Sequence, residues 1–232
     1  MLCGGITSEC RYFFLNGKRV KLGREDIMEY YLTSTPIPGM LLWFVLYVSD
    51  YYMTLSTARG YKKMGIFHFE KSFELTPQFQ KDIDGQARVS RRHLFYLFAY
   101  TFVILFFWYL FVKSLGMDFL YSFFIGALLL LETAVHMRHF RNLRQVIIYE
   151  REGGLSGNIT FGQRFSYLLS AFDMYSYAVL FLLVFVLTFS PFFLGGAFSC
   201  FATGFRHSRY GKKLPSAQAA QTAEPNADPS SG

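Results

Sequence analysis

The chain has 232 residues, of which 52% are hydrophobic, 20% aromatic and only 17% charged, against about a quarter charged in an ordinary soluble domain. The formal net charge is +7, but the Lys and Arg stand beside apolar blocks, where helix orientation and anionic lipid headgroups account for them, so nucleic acid is not an expected partner. The cysteines, Cys3, Cys10 and Cys200, follow neither a disulfide framework nor a zinc spacing; only Cys3 and Cys10 could pair, if the N-terminus lies outside.

The fold class this implies is an all-α membrane protein, a polytopic bundle of about five transmembrane helices. Residues 1–35 hold no charged start, apolar run and small-residue cleavage site in succession, so no removable signal peptide is evident, and they are read as an N-terminal extramembrane segment. Pro36 and Pro38 then open the first apolar block, as suits a helix start, and the first span is placed at 37–58. The second, 93–115, carries no acid and is apolar around its circumference apart from Thr101, which suits lipid on more than one side. Ser114 to Asp118 is the whole connection to the third span, 118–138, so these two are expected as a tight antiparallel hairpin.

The fourth span is placed at 165–189. Ser190-Pro191 interrupts the apolar run, which favours a turn and a shorter fifth span at 191–206; a single kinked helix, giving four spans in all, is the rival reading. From 210 to 232 the chain turns small, polar and proline-bearing, a composition expected to be disordered.

Basic residues crowd the loop after the first span, the loop after the third and the C-terminal flank. By the positive-inside tendency these are cytoplasmic, with the C-terminus inside, the N-terminus outside, and the cell inner membrane as the expected location. The loops MGIFHFEKSFEL and QVIIYEREGGLSGNITF alternate apolar and polar residues; the second, punctuated by glycines and Asn158, reads as a β-hairpin lying on the membrane surface.

Ionisable groups inside a membrane helix cost about 2.5 to 3.5 kcal/mol on insertion scales and usually face the bundle interior. Asp50 lies nine residues before Arg59, Glu132 nine before Arg141, and Asp173 nine after Arg164. Each would then sit roughly 13 Å from a basic marker at a rise of about 1.5 Å per residue, and the three could form one layer. Carboxylates sharing a low-dielectric interior need a proton, a cation or a basic partner. Asp50, Glu132 and Asp173 are therefore candidate proton- or cation-binding residues, with His136, one turn after Glu132, as a paired imidazole or relay. The opposing expectation is that each acid accepts a hydrogen bond from a neighbouring helix and only specifies packing.

Glu132, His136 and His139 also recur at i, i+4 and i+7, a spacing that can present three ligands to one metal. Against this, Arg138 and Arg141 would repel a divalent cation from His139, which is otherwise read as an interfacial residue. Aligning Asp50 with Glu132 sets Arg59 against Arg141 and Lys62 against Arg144, so a duplicated hairpin plus one added helix is a further expectation, of a kind common in transporters.

The run Asp82 to Arg88 (DIDGQAR) resembles the start of the metal-binding signature of CDP-alcohol phosphotransferases, but its spacing departs from it and the two acids expected downstream are absent from HLFYLFAYTF; a polar turn before the second span is expected instead. On the last helix Gly195, Ser199 and Thr203, or equally Gly196, Cys200 and Gly204, form small-residue stripes that permit close helix contact, within the chain or in a homo-oligomer. There is no phosphate-binding glycine loop, dinucleotide fingerprint, serine nucleophile elbow or HExxH, so soluble-enzyme chemistry has no visible support. The leading expectation is proton- or cation-linked transport through a buried acidic site. The alternatives are an intramembrane metal-dependent enzyme on a lipid or hydrophobic substrate, with Glu132, His136 and His139 as ligands, and a non-catalytic scaffold or assembly subunit. No specific cofactor is implied.

Overall fold

The computed structural model describes residues 11–15, 18–22 and 30–215, with side chains from Tyr30 onward; Cys3, Cys10 and residues 216–232 lie outside the described residues. An antiparallel hairpin of β1 (Arg11–Leu15) and β2 (Lys18–Leu22) precedes the bundle. The helix α1 (Ile37–Met64) starts at the proline pair and ends where Gly65 turns left-handed at φ 70°, with Lys62 and Lys63 in its last turn, the cationic ending that a helix dipole favours. Next come β3 (Phe67–Phe69), the short amphipathic α2 (Pro77–Asp84), and α3 (Arg91–Trp108), which passes into a π-helical turn at Tyr109–Ser114. The remaining elements are α4 (Asp118–Glu152), β4 (Ile159–Phe161), α5 (Gln163–Thr188) and α6 (Pro191–Lys213).

Three of these helices, α3 with its π turn, α4 and α5, are long and apolar enough to cross a membrane. Their outer faces carry large exposed apolar side chains, as at Phe95, Phe98 and Phe102 of α3 and Leu183 and Leu187 of α5, a surface suited to lipid and not to water. The other two long helices fall short of that apolarity because they are partners to the core: α1 carries Ser49, Asp50, Thr54 and Thr57, and α6 carries its glycines, Ser199 and Thr203.

The centre of the bundle is α4. One core cluster joins it to α1, α3 and the start of α6, through Trp43, Leu97, Ile104, Tyr121, Ile125, Leu129 and Phe192. A second joins α4 to α5 and α6, through Ala134, Met174, Ala178, Phe181, Ala197 and Cys200. The chain turns at Phe189, whose φ is 53°, and Pro191 starts a new helix that folds back along α5 and against α4. The last apolar run is therefore two helices, not one kinked helix. The small-residue stripe is what lets α6 in: Gly126 of α4 meets the Phe192 backbone, Gly195 meets the Phe123 carbonyl, and Gly196 lies under Leu130. Gly195, Gly196 and Cys200 are buried by these contacts and Ser199 is half-buried, so this face is already occupied within the chain.

Several sequence expectations are corrected. The segment QVIIYERE is not a strand: Val146 keeps the α4 periodicity and is buried, and the helix ends only at Gly153, with φ 69°. Its downstream part ITF pairs instead with FHF of the earlier loop, Phe67 opposite Ile159 and Phe69 opposite Phe161, as a two-stranded parallel sheet. The connection between α3 and α4 is short, but beyond it α3 packs chiefly along α1, so the two do not make a close hairpin. Helix α6 continues to Lys213, past the point where the polar tail was expected to begin. The Asp82–Arg88 run is a turn only from Gly85 onward, since Asp82 to Asp84 close α2: Asp82 Oδ2 accepts the Ser90 hydroxyl at 2.5 Å and Asp84 Oδ1 accepts the Ser72 hydroxyl at 2.8 Å, while Ser90 in turn caps α3 by accepting the His93 amide at 3.1 Å.

Candidate functional site

The loop between α1 and α3 folds back over the basic end of the bundle. Ile83 of α2 buries against Tyr51 and Leu55 of α1, and the Tyr51 hydroxyl donates to the Ala87 carbonyl at 2.7 Å. The Tyr167 hydroxyl of α5 donates to the Leu75 carbonyl at 3.1 Å. Held from both sides, the loop turns Glu74 inward, where its Oε1 accepts the Thr76 amide at 2.7 Å.

Beneath that loop lies a cavity of about 280 Å³ between α1, α3, α4 and α6, lined by Asp50 and Glu132 together with Glu74. Glu132 and Glu74 are near enough to Asp50 to repel its charge, and Arg138 near enough to oppose them. Aromatic side chains from two helices form one wall: Trp43, Tyr47 and Tyr51 of α1, and His93, Tyr96 and Tyr100 of α3. The Trp43 and Tyr47 rings stack with centroids 5.0 Å apart, Trp43 and Tyr100 are 5.2 Å apart, and Tyr47 lies flat on His93 at 4.2 Å. The spacings i, i+4 and i+8 on α1 and i, i+3 and i+7 on α3 set each trio on one helix face.

Nearer the basic end is a second cavity of about 390 Å³, roofed by Phe69, Phe73 and Phe161 around the parallel sheet and lined by Arg141, Asn142, Gln145 and Asp173. Among the described residues only Glu74, Arg138 and His139 line both cavities, so these three side chains form the partition. Arg138 donates to the Ser170 hydroxyl, which meets His207 Nδ1 at 2.9 Å, and its other terminal nitrogen lies 3.4 Å from His139 Nε2. A guanidinium has no acceptor, so His139 Nε2 is the only acceptor in that contact. Asp50 Oδ1 is 3.9 Å from the same Nε2, beyond hydrogen-bond reach.

Six buried side-chain nitrogen or oxygen atoms among the described residues have no hydrogen-bond partner, and four of them belong to residues lining the acidic cavity: Trp43 Nε1, Asp50 Oδ1, His93 Nε2 and His139 Nδ1. Unpaired polar atoms are uncommon in protein interiors and each calls for an explanation. Their concentration here, around two carboxylates in a space large enough for a small molecule, marks this cavity as the candidate site.

The predicted site residues divide. Asp50 and Glu132 come together in the acidic cavity. Asp173 does not join them; Arg141 holds it by a two-pronged ion pair at 3.1 and 3.0 Å. It stands level with Arg141, nine residues along α4 from Glu132, because Arg164 sits in the first turn of α5 whereas Arg141 sits well inside α4, so the two arginines do not mark one depth. His136 lines neither cavity, and its Nδ1 is buried without a partner. His139, read from sequence as interfacial, is the buried imidazole, its side chain only 7% exposed. Among the described residues no three His, Cys, Asp or Glu side chains are placed to share a metal ion, so the i, i+4, i+7 series of Glu132, His136 and His139 does not converge. The residues that sequence reasoning missed are Glu74, Arg138, His207 and the aromatic wall. No family model, curated protein or solved structure matches the chain.

Proposed function

We propose that the chain is a multi-pass membrane protein that binds a proton or a cation between Asp50 and Glu132 and handles it in transport or ion-coupled work. In this reading α1 and α6 cross the bilayer beside the three apolar helices, the basic end faces the cytoplasm, and the partition of Glu74, Arg138 and His139 separates the binding cavity from the cytoplasmic one. The observation that carries it is the pair of carboxylates on α1 and α4 in one cavity, with Asp50 Oδ1 buried and lacking any donor. Two acids so placed are stable when they share a proton or a cation.

The test is proton release and uptake on detergent-purified wild type and an Asp50→Asn/Glu132→Gln variant, with cation-dependent flux in proteoliposomes as the second readout. A titration step and a flux that both vanish in the variant, while its helical content and melting are retained, support the proposal. Superimposable titrations with no flux in either protein would leave the acids as packing residues and favour a scaffold role.

A further inference from the structure

We infer that the occupant of the acidic cavity is a small organic cation, an amine or quaternary ammonium bearing an oxygen, rather than a bare metal ion. The inference rests on the reading of this cavity as a cation site and names the class of cation. Three observations carry it.

The first is size: the cavity holds about 280 Å³, just under the roughly 300–1,000 Å³ of small-molecule sites and far more than a dehydrated ion fills. The second is the wall. Hard cations take about six or more oxygens, whereas much of the lining here is a lattice of packed rings, Trp43 on Tyr47, Tyr47 on His93 and Trp43 against Tyr100, which a bare ion does not use. Rings held in place by one another give the wall a fixed shape, and an aromatic lining attracts an alkylammonium group that has shed its water. The third is the unpaired polar atoms. Trp43 Nε1 can only donate and lacks an acceptor, and Trp43 is 4% exposed; the ligand's oxygen would meet it while its positive end lies between Asp50 and Glu132. The two arginines lining the cavity, Arg138 and Arg206, belong to α4 and α6 and not to the helices that carry the rings, and Arg138 is committed to Ser170 and His139.

The chain has two tryptophans, Trp43 in this wall and Trp108, which donates to the Thr33 carbonyl at 2.9 Å. A Trp108→Phe background of the full chain in detergent therefore reports on Trp43 alone. Choline is titrated against its fluorescence at constant ionic strength, with sodium, potassium and magnesium chlorides as comparison probes. The expected result is a saturable change with choline and none with the inorganic salts. Tyr100→Leu should weaken choline binding about tenfold, and Asp50→Asn/Glu132→Gln should abolish it while the tryptophan emission maximum stays put. No response to choline or to tetramethylammonium, with a proton titration still lost in the double variant, would overturn this inference and leave the proposed proton site standing. Loss of neither would remove both. A choline response unchanged by Tyr100→Leu and by the double variant would place the ligand elsewhere and equally overturn it.

Discussion

The two sides of α4 are built on opposite principles. Toward the first turns of α6 the interface is so close that Gly126 and Gly195 have no room for a side chain; toward α1 and α3 the same helix opens onto a cavity whose polar atoms go unpaired. The first arrangement fixes two helices as one unit. The second leaves space, and residues that local stability alone would not select. What the contrast teaches is a division of labour: α4, α5 and α6 pack as a close frame, and the α1 and α3 side holds the cavity on which the proposed function rests.

The largest effect should come from breaking the frame. Gly195→Leu drives a side chain into the Phe123 carbonyl, part of a helix backbone that cannot step aside, and should cost about 3 kcal/mol or more. Thermal melting in detergent, followed by helical signal, would show it as a large fall in midpoint or as loss of folded protein. If Gly195→Leu melted like wild type, the helices would not pack as described and the contrast would fail.

An intermediate effect is expected where the frame carries charge. Asp173 is 9% exposed and its partner Arg141 is about half exposed, at 47%. Removing Arg141 alone strands the carboxylate and should cost about 1–3 kcal/mol, reduced by solvent screening on the arginine side. Arg141→Ala/Asp173→Asn should recover part of that loss. A double-mutant cycle with zero coupling would show the two-pronged pair to be incidental.

How much of this division could be read in the chain follows from the same residues. The helices were legible because their apolar runs and proline starts are local signals, and so were Asp50 and Glu132, since a carboxylate inside an apolar run points inward on cost alone. Asp173 stands apart from the other two acids because Arg164 lies in the first turn of α5 and Arg141 well inside α4, and nothing local reveals that the two arginines stand at different heights. His139 reads as interfacial because its neighbours in sequence are arginines, whereas in space it is buried beside Asp50. Glu74 lies in a loop whose inward turn depends on Tyr51 and Tyr167 from other helices, a tertiary fact with no local signature. The aromatic wall did leave a signal in the spacing of Trp43, Tyr47 and Tyr51 and of His93, Tyr96 and Tyr100, but aromatic residues are so frequent here, at 20% of the chain, that the two stripes do not stand out.

On the cavity side the effect on stability should be small and its sign can be reversed. Asp50 is repelled by Glu132 and Glu74, its Oδ1 has no donor, and only Arg138 opposes the repulsion. Asp50→Asn removes that repulsion at nearly constant volume, so the stability read from melting should stay within about 1 kcal/mol of wild type or rise, as substitutions in functional sites often allow, while ligand or proton binding is lost. A loss of stability as large as that of Gly195→Leu would instead make Asp50 a packing residue and erase the contrast between the two sides.

The smallest effect tests where the contrast ends. Lys63 at the end of α1 reaches Glu150 near the end of α4 at 3.2 Å, with the lysine side chain 78% and the glutamate 39% exposed. Just inside this pair the strands Phe67–Phe69 and Ile159–Phe161 join the same two connections by backbone hydrogen bonds, and Phe69 and Phe161 stack with centroids 5.2 Å apart. The sheet and its rings hold the basic ends of α1 and α4 together whether or not the ion pair forms, and an exposed pair is largely screened. Lys63→Ala should therefore shift stability by no more than about 0.5 kcal/mol, and raising the salt should change wild type and variant alike. Phe161→Ala, which removes the stacked ring and part of the roof of the larger cavity, should cost more than Lys63→Ala in the same melting experiment. The reverse order would mean that charge, and not the sheet, joins the cavity side to the frame.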